Sequence, residues 1–242
     1  AFQGSGLTSI TIPDSVNSIG DLAFANVPLQ TLVIGSGLNN VTNVGYGAFT
    51  NVCQTLRSVS IDSPRALGRG NNTYHATYID AQGSSRSLRN PHQGIYLGQF
   101  YDIGLDSNGN FTGNGDLFEG SFACPVLESI TLGNNVVTVG EYAFEATSDF
   151  SSLTSLTLGS SVTKIGVGAF QGASSLTSLV IPDLVTTIER IAFQDASSLT
   201  SLTLGSSVTD IGGDAFRNAS SLTSVTLPST LTSIGSRAFQ GS

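Results

Sequence analysis

What this chain lacks narrows it before what it contains. There is no methionine and no tryptophan, and its 242 residues hold one lysine (Lys164), two histidines and two cysteines. A primary translation product begins with methionine, so the expectation is a processed or excised piece whose targeting signal lies outside it. Charged residues are 11% of the chain against 39% hydrophobic, the opposite of the balance that keeps a chain disordered. No run of about 18 apolar residues occurs, so no membrane insertion is expected. A net charge of −8 repels phosphate backbones, which argues against nucleic acid and anionic membrane as partners.

Catalytic signatures are missing as well. No G-x-S-x-G elbow, Walker loop or HExxH motif occurs, and pairs such as Gly166 and Gly168 lack the third glycine of a dinucleotide fingerprint. His75 and His92 cannot build a three-histidine zinc site. Either could form a dyad with Asp80 or Asp102, but nothing fixes the geometry. The expectation is a non-enzymatic protein without a resident cofactor. Sequons at Asn40, Asn71, Asn110 and Asn218 permit glycosylation, but a chain this rich in hydroxyl residues produces about as many by chance.

What the chain does have is repetition. Serine and threonine together number 60 and glycine 28, and they are distributed periodically. Units of the form L-x-x-(L/I/V)-x-(L/I) start at Leu7, Leu29, Leu56, Leu127, Leu153, Leu176, Leu199 and Leu222, the last three intervals being 23 residues each. Within a unit such as 152–173, Ser155 to Leu158 alternates polar and apolar, the period of a half-buried strand. A turn follows, holding Gly159 here and Pro13, Pro182 or Pro228 in other copies; Val162 and Ile165 then point inward, and Ala169-Phe170 closes the unit. A unit this short cannot bury its own apolar edge, so stacked copies must bury each other. The stacking predicts a valine column (Val16, Val41, Val136, Val162, Val185, Val208, then Leu231). It also predicts a phenylalanine column (Phe24, Phe49, Phe122, Phe144, Phe170, Phe193, Phe216, Phe239), structural rather than ligand-binding.

The repeated LTS-x-T-(L/I) and Ala-Phe elements resemble the BspA-like class of leucine-rich repeats, whose unit looks like C-x-x-L-T-S-(I/V)-x-(I/L)-P-x-S-V-T-x-I-G-x-x-A-F. The resemblance covers 1–61 and 117–242. It implies an α/β, β-rich right-handed solenoid, with a parallel sheet on one face and short strands and helical turns on the other. One solenoid of about eight coils over 1–242 is expected, with 62–116 inserted in the third repeat. The resemblance further implies an extracellular or cell-surface protein used in adhesion and binding, with no shared catalytic residues. The chain departs from the pattern at 62–116, and at Ala173, Ala196 and Ala219, which stand where the family usually has cysteine.

Cys53 and Cys124 keep that position, three residues before Leu56 and Leu127. Adjacent coils stand about 4.8 Å apart, inside the Cα separation of about 4.4–6.8 Å that a disulfide accepts. A bridge is one expectation and a pair of buried thiols the other.

The 62–116 segment is compositionally foreign. It gathers Tyr74, His75, Tyr78, His92, Tyr96 and Tyr101 with Arg65, Arg69, Arg86 and Arg89, side chains that binding hot spots favour. The alternative is an Ω-like loop packing these aromatics back onto the solenoid. Asp106, Asn108 and Asn110, with Asp116 beyond, resemble the opening of a Ca²⁺ loop. Phe111 occupies the place of its glycine and Leu117 that of its final glutamate, and the same residues serve as plain turn chemistry.

Three functions compete. A binding or adhesion module would use the strand-face hydroxyls, chiefly Ser155, Thr157, Ser178, Ser201, Thr203, Ser224 and Thr226, against protein or glycan surfaces. A structural segment would stack end to end with further repeats or copies of itself, because both ends stop in mid-repeat without a polar cap. Ice binding would use the Ser/Thr rows, although Val33 and Val180 interrupt them. The first is the expectation carried forward.

Overall fold

Each repeat opens with a short alternating segment such as Ser129–Leu132, in which Ile130 and Leu132 are buried and Thr131 is exposed. So short a strand needs a neighbour for its N–H and C=O groups, and the adjacent coil supplies one at the same phase. The computed structural model describes residues 1–20, 22–36, 49, 52, 55–62, 126–141, 143–144 and 152–242, together with the backbone of 74–79 and 85–90.

In chain order the strands are β1 (Ser9–Ile12), β2 (Thr31–Ile34), β3 (Ser58–Ile61), β4 (Tyr74–Ile79), β5 (Ser85–Asn90), β6 (Ser129–Leu132) and β7 (Thr138–Val139). They continue as β8 (Ser155–Thr157), β9 (Lys164–Ile165), β10 (Ser178–Val180), β11 (Thr187–Ile188), β12 (Ser201–Thr203), β13 (Asp210–Ile211) and β14 (Ser233–Ile234). The repeat-opening strands form a parallel sheet in the order β1-β2-β3-β6-β8 and a separate pair β10-β12. A second face carries β7-β9-β11-β13-β14, also parallel. Ser58 pairs directly with Ser129, so β3 and β6 are neighbours in register despite their separation in sequence. Within 62–116, β4 and β5 pair as an antiparallel hairpin.

Among the described residues there is no α-helix, and of the expected helical turns only a 3₁₀ turn at Val52 is found, so the α/β description gives way to a parallel β-solenoid. The reason lies in the Ala-Phe segment. The N–H groups of Gly168, Phe170 and Gly172 donate across to Arg190, Ala192 and Gln194, so alternate donors bond the next coil rather than their own turn. Such bonding needs two left-handed residues four apart, and they recur as Leu22/Asn26, Gly168/Gly172, Ile191/Asp195, Asp214/Asn218 and Arg237/Gly241. Left-handed residues at that spacing interrupt a right-handed helix.

The core is a set of columns. Phe2, Phe24 and Phe49 stack at 5.4 and 5.2 Å between ring centroids. Phe144, Phe170, Phe193, Phe216 and Phe239 stack at 5.3–5.4 Å, with planes within 12° of parallel. Val136, Val162, Val185 and Val208 are fully buried, as expected; Val41 and Phe122 lie outside the described residues. Coil spacing also explains a glycine. A Cβ on Gly159 would sit 2.1 Å from the Gly133 carbonyl oxygen, so this turn admits no side chain in its present path.

Candidate functional site

The repeat places its outward hydroxyls by strand alternation. Ser155 and Thr157 on β8, Ser178 on β10, and Ser201 and Thr203 on β12 are all exposed, and they flank Leu156, Leu179 and Leu202, which turn toward the core. Ser224 and Thr226 are exposed too, but their segment forms no strand. Further back, Ser129 Oγ donates to Ser58 Oγ at 3.0 Å, so those hydroxyls are committed to each other.

Not every hydroxyl is available to a ligand. Thr163, Thr186, Thr209 and Thr232 each donate Oγ1 to the carbonyl of the preceding coil, at 3.2, 3.3, 3.1 and 3.0 Å. Thr154 and Thr200 do the same to Glu128 and Thr177. These threonines hold coil to coil, a use that the composition alone could not separate from surface display. Their signal was present: the residue recurs in phase, one coil on, at positions off the alternating strand.

A second ladder marks the turn after the strand. Asp14 accepts the Ser36 N–H, Asp62 that of Asn135, Asn134 that of Ser160 and Asp183 that of Ser206, at 2.8–3.0 Å. Asp183 Oδ1 also accepts the Ser206 hydroxyl at 3.0 Å. The Ser206 backbone N–H first, and its hydroxyl second, hold the Asp183 carboxyl below the usual carboxylate range.

The strand face is unpaired between β8 and β10, and it opens again in the last coil. Thr200 and Ser201 donate their N–H groups to the Thr177 carbonyl, and Ile181 donates to Thr203. One coil on, the corresponding bonds from Thr223 and Ser224 to Thr200, and from Leu204 to Thr226, are not made. The segment is anchored on either side: Ser221 N–H donates to Ser197, and Thr230 Oγ1 donates to Ser206 (2.8 Å) and Val208 (2.9 Å). Between those anchors lies a cleft of about 570 Å³. Its lining includes four of the candidate hydroxyl residues, Ser201, Thr203, Ser224 and Thr226, over Leu202, Leu204 and Val225, with Asp183 at one end.

The other candidates fare differently. Tyr74, His75 and Tyr78 lie on β4, where His75 is opposite Arg89 and Tyr78 opposite Arg86. His92, Tyr96, Tyr101, the calcium candidates Asp106, Asn108, Asn110 and Asp116, and the cysteines Cys53 and Cys124 all lie outside the described residues. Among the described residues no three His, Cys, Asp or Glu side chains gather as metal ligands, and no helix is long and apolar enough to cross a membrane.

Stacked coils with recurrent leucine, valine and Ala-Phe columns match a BspA-type leucine-rich repeat region, in six copies over residues 1–82 and 115–242. The chain belongs to the BspA-type leucine-rich repeat family. The gap in the match, 83–114, falls within the segment that leaves the BspA-type pattern, although the repeat signal runs about twenty residues further into it than the motif suggested. Among solved structures, a leucine-rich repeat protein from Bacteroides ovatus aligns with a TM-score of 0.56 at 23% identity, covering 93% of this chain and 46% of that one. A leucine-rich cell surface protein from Faecalibacterium prausnitzii aligns at 0.42 and 26% identity, covering 98% and 57%. A leucine-rich repeat protein from Eubacterium ventriosum aligns at 0.48 and 20%, covering 99% and 66%. The BspA-type chain thus spans about half the length of the first two. No curated protein matches it.

Proposed function

We propose that this chain is a non-enzymatic, extracellular or cell-surface binding module that meets protein or glycan surfaces through its strand face. The observation that carries the reading is the exposed hydroxyl rows on β8, β10 and β12, displayed by a rigid stack that has no structural need of them. Threonines that the stack does need are bonded to neighbouring carbonyls, so the outward set is chemically uncommitted. BspA-type membership supports a repeat protein used in binding at a surface.

The test is an array of glycans and extracellular-matrix proteins probed with the full chain and with a Thr157→Arg/Ser178→Arg/Ser201→Arg variant. Binding should be present in the native chain and lost in the variant at unchanged melting temperature. No hit with the native chain, or a hit that survives the triple substitution, would overturn the strand-face reading.

An end-to-end structural role is the second reading. It is supported by an apolar hollow of about 330 Å³ beside β1, lined by Phe2, Ile10, Ile12, Val16, Ile19 and Phe24, with Phe2 44% exposed. Sedimentation over a wide concentration range should show stacking; a persistent monomer sinks it.

A further inference from the structure

We infer that the cleft in the last coil is a docking slot for one extended peptide strand, taken in between β12 and the 223–227 segment, with a basic side chain directed at Asp183. This deepens the binding reading and rests on it. The argument begins with backbone chemistry. Along β1-β2-β3-β6-β8, and again between β10 and β12, the N–H and C=O groups of one coil meet those of the next; here the Thr200 carbonyl and the Leu204 N–H on one wall, and Thr223, Ser224 and Thr226 on the other, have no such partner. On the far face the same coil closes normally: Thr232 and Ser233 donate to Thr209, Gly235 donates to Ile211, and β14 pairs with β13. The coil is therefore hinged shut on one side and open on the other. The opening is a gap in a parallel ladder that is also unpaired between β8 and β10.

An extended peptide fits such a gap because it alone carries donors and acceptors on both edges, at the spacing of about 4.8 Å that strands require. Its alternate side chains would meet the apolar floor of Leu202, Leu204 and Val225, and the others would join the hydroxyl rim. A linear glycan could use the hydroxyls but would leave both rows of amides unmet, and unmet buried amides are costly. Charge decides the end. Asp183 is the one charged residue of the lining, and its bonds to Ser206 both use Oδ1, leaving Oδ2 for a cation. A lysine or arginine on the strand, with its long apolar stem, can span the intervening coil to reach it.

The test is amide exchange on the full chain, free and with the peptide acetyl-Thr-Ser-Val-Thr-Val-Gly-Lys-amide. In the free protein the amides of Leu204, Ser224 and Thr226 should exchange far faster than that of Ile181, which donates to Thr203. Saturating peptide should slow them by about tenfold or more. N-methylation of both valines in the peptide should abolish the effect. Val225→Asp, on the partly buried floor, should weaken peptide affinity by about tenfold. Asp183→Asn should weaken binding of the lysine peptide and not of its alanine counterpart. Full protection of those amides in the free protein would show the slot closed and overturn the inference. So would exchange unmoved by peptide, equal binding by Val225→Asp, or protection conferred by cellohexaose in place of peptide. An array ligand that binds on β8 and β10 while the peptide fails would leave the broader binding reading standing and remove this one.

Discussion

The two faces of the solenoid are built from the same chain with the same period, yet one is continuous and the other is not. The turn-side sheet runs β7-β9-β11-β13-β14 without a gap, using strands of only two residues. The repeat-opening strands are longer but divide into β1-β2-β3-β6-β8 and β10-β12, and part again before 223–227. Strand length therefore does not set continuity. Buried apolar residues line both ladders, Ile130, Leu132 and Leu179 on the opening strands among them; what differs is the side-chain bonding from coil to coil. On the turn side, buried Val139, Ile165, Ile188 and Ile211 lie in the ladder itself, and in-phase threonines add side-chain bonds from coil to coil. On the opening face the outward residues make few such bonds, so neighbouring strands can separate while the far side holds them together.

Substitutions can break this comparison or sharpen it. Phe193→Ala should have the largest effect, removing a fully buried ring stacked on both Phe170 and Phe216. A loss of about 3–5 kcal/mol is expected in denaturant unfolding, while Val180→Ala on the opening face, where the side chain is 63% exposed, should change stability by less than about 0.5 kcal/mol. Gly168→Val comes next. The residue has φ of 60°, and placing a β-branched side chain there should cost roughly 1–2 kcal/mol. Ile191 already occupies the equivalent left-handed position in the next coil, with φ of 54°, so strain is tolerated there but not free.

Smaller still is the contrast between two threonines. Thr209→Val, which loses the bond to the Thr186 carbonyl, should lower stability by about 1 kcal/mol. Thr203→Val on the outward row should be neutral within about 0.5 kcal/mol. Equal effects in thermal melts would erase the distinction between committed and uncommitted hydroxyls. The smallest expected effect belongs to Asp183. Its folded carboxyl titrates below its ordinary value, so its contribution is present above about pH 4 and disappears as pH falls through the lowered folded value. Asp183→Asn should therefore lower the melting temperature slightly at neutral pH, by an amount that shrinks as the pH is taken below about 4.

Much of this arrangement was legible in the residues. The leucine starts, the phenylalanine stack and the buried valines followed from the 23-residue phase, because a short unit has only one way to hide its apolar edge. Helical turns are expected around Ala-Phe, and among the described residues only Val52 lies in one, a 3₁₀ turn. The repeat pattern gives apolar phase but not the destination of each N–H, and it is the coil-to-coil donors of Gly168, Phe170 and Gly172 that exclude a helix. Tyr74-His75-Ala76-Thr77-Tyr78-Ile79 carries the β-branched and aromatic content of a strand, but outside the repeat no phase marks where a strand begins. The cleft had no signature at all. Thr223–Leu227 reads like Thr200–Leu204, and only the missing bonds distinguish them.

The phenylalanine stack has a consequence for reach. Its rings recur every 5.2–5.4 Å, so each unit advances the chain by one fixed graduation. Duplicating or excising one 23-residue unit between Leu153 and Leu222 would leave every surviving column in phase, and would move whatever the two ends carry by a single step. Such a molecule can be lengthened like a ruler, in whole divisions, without being redesigned.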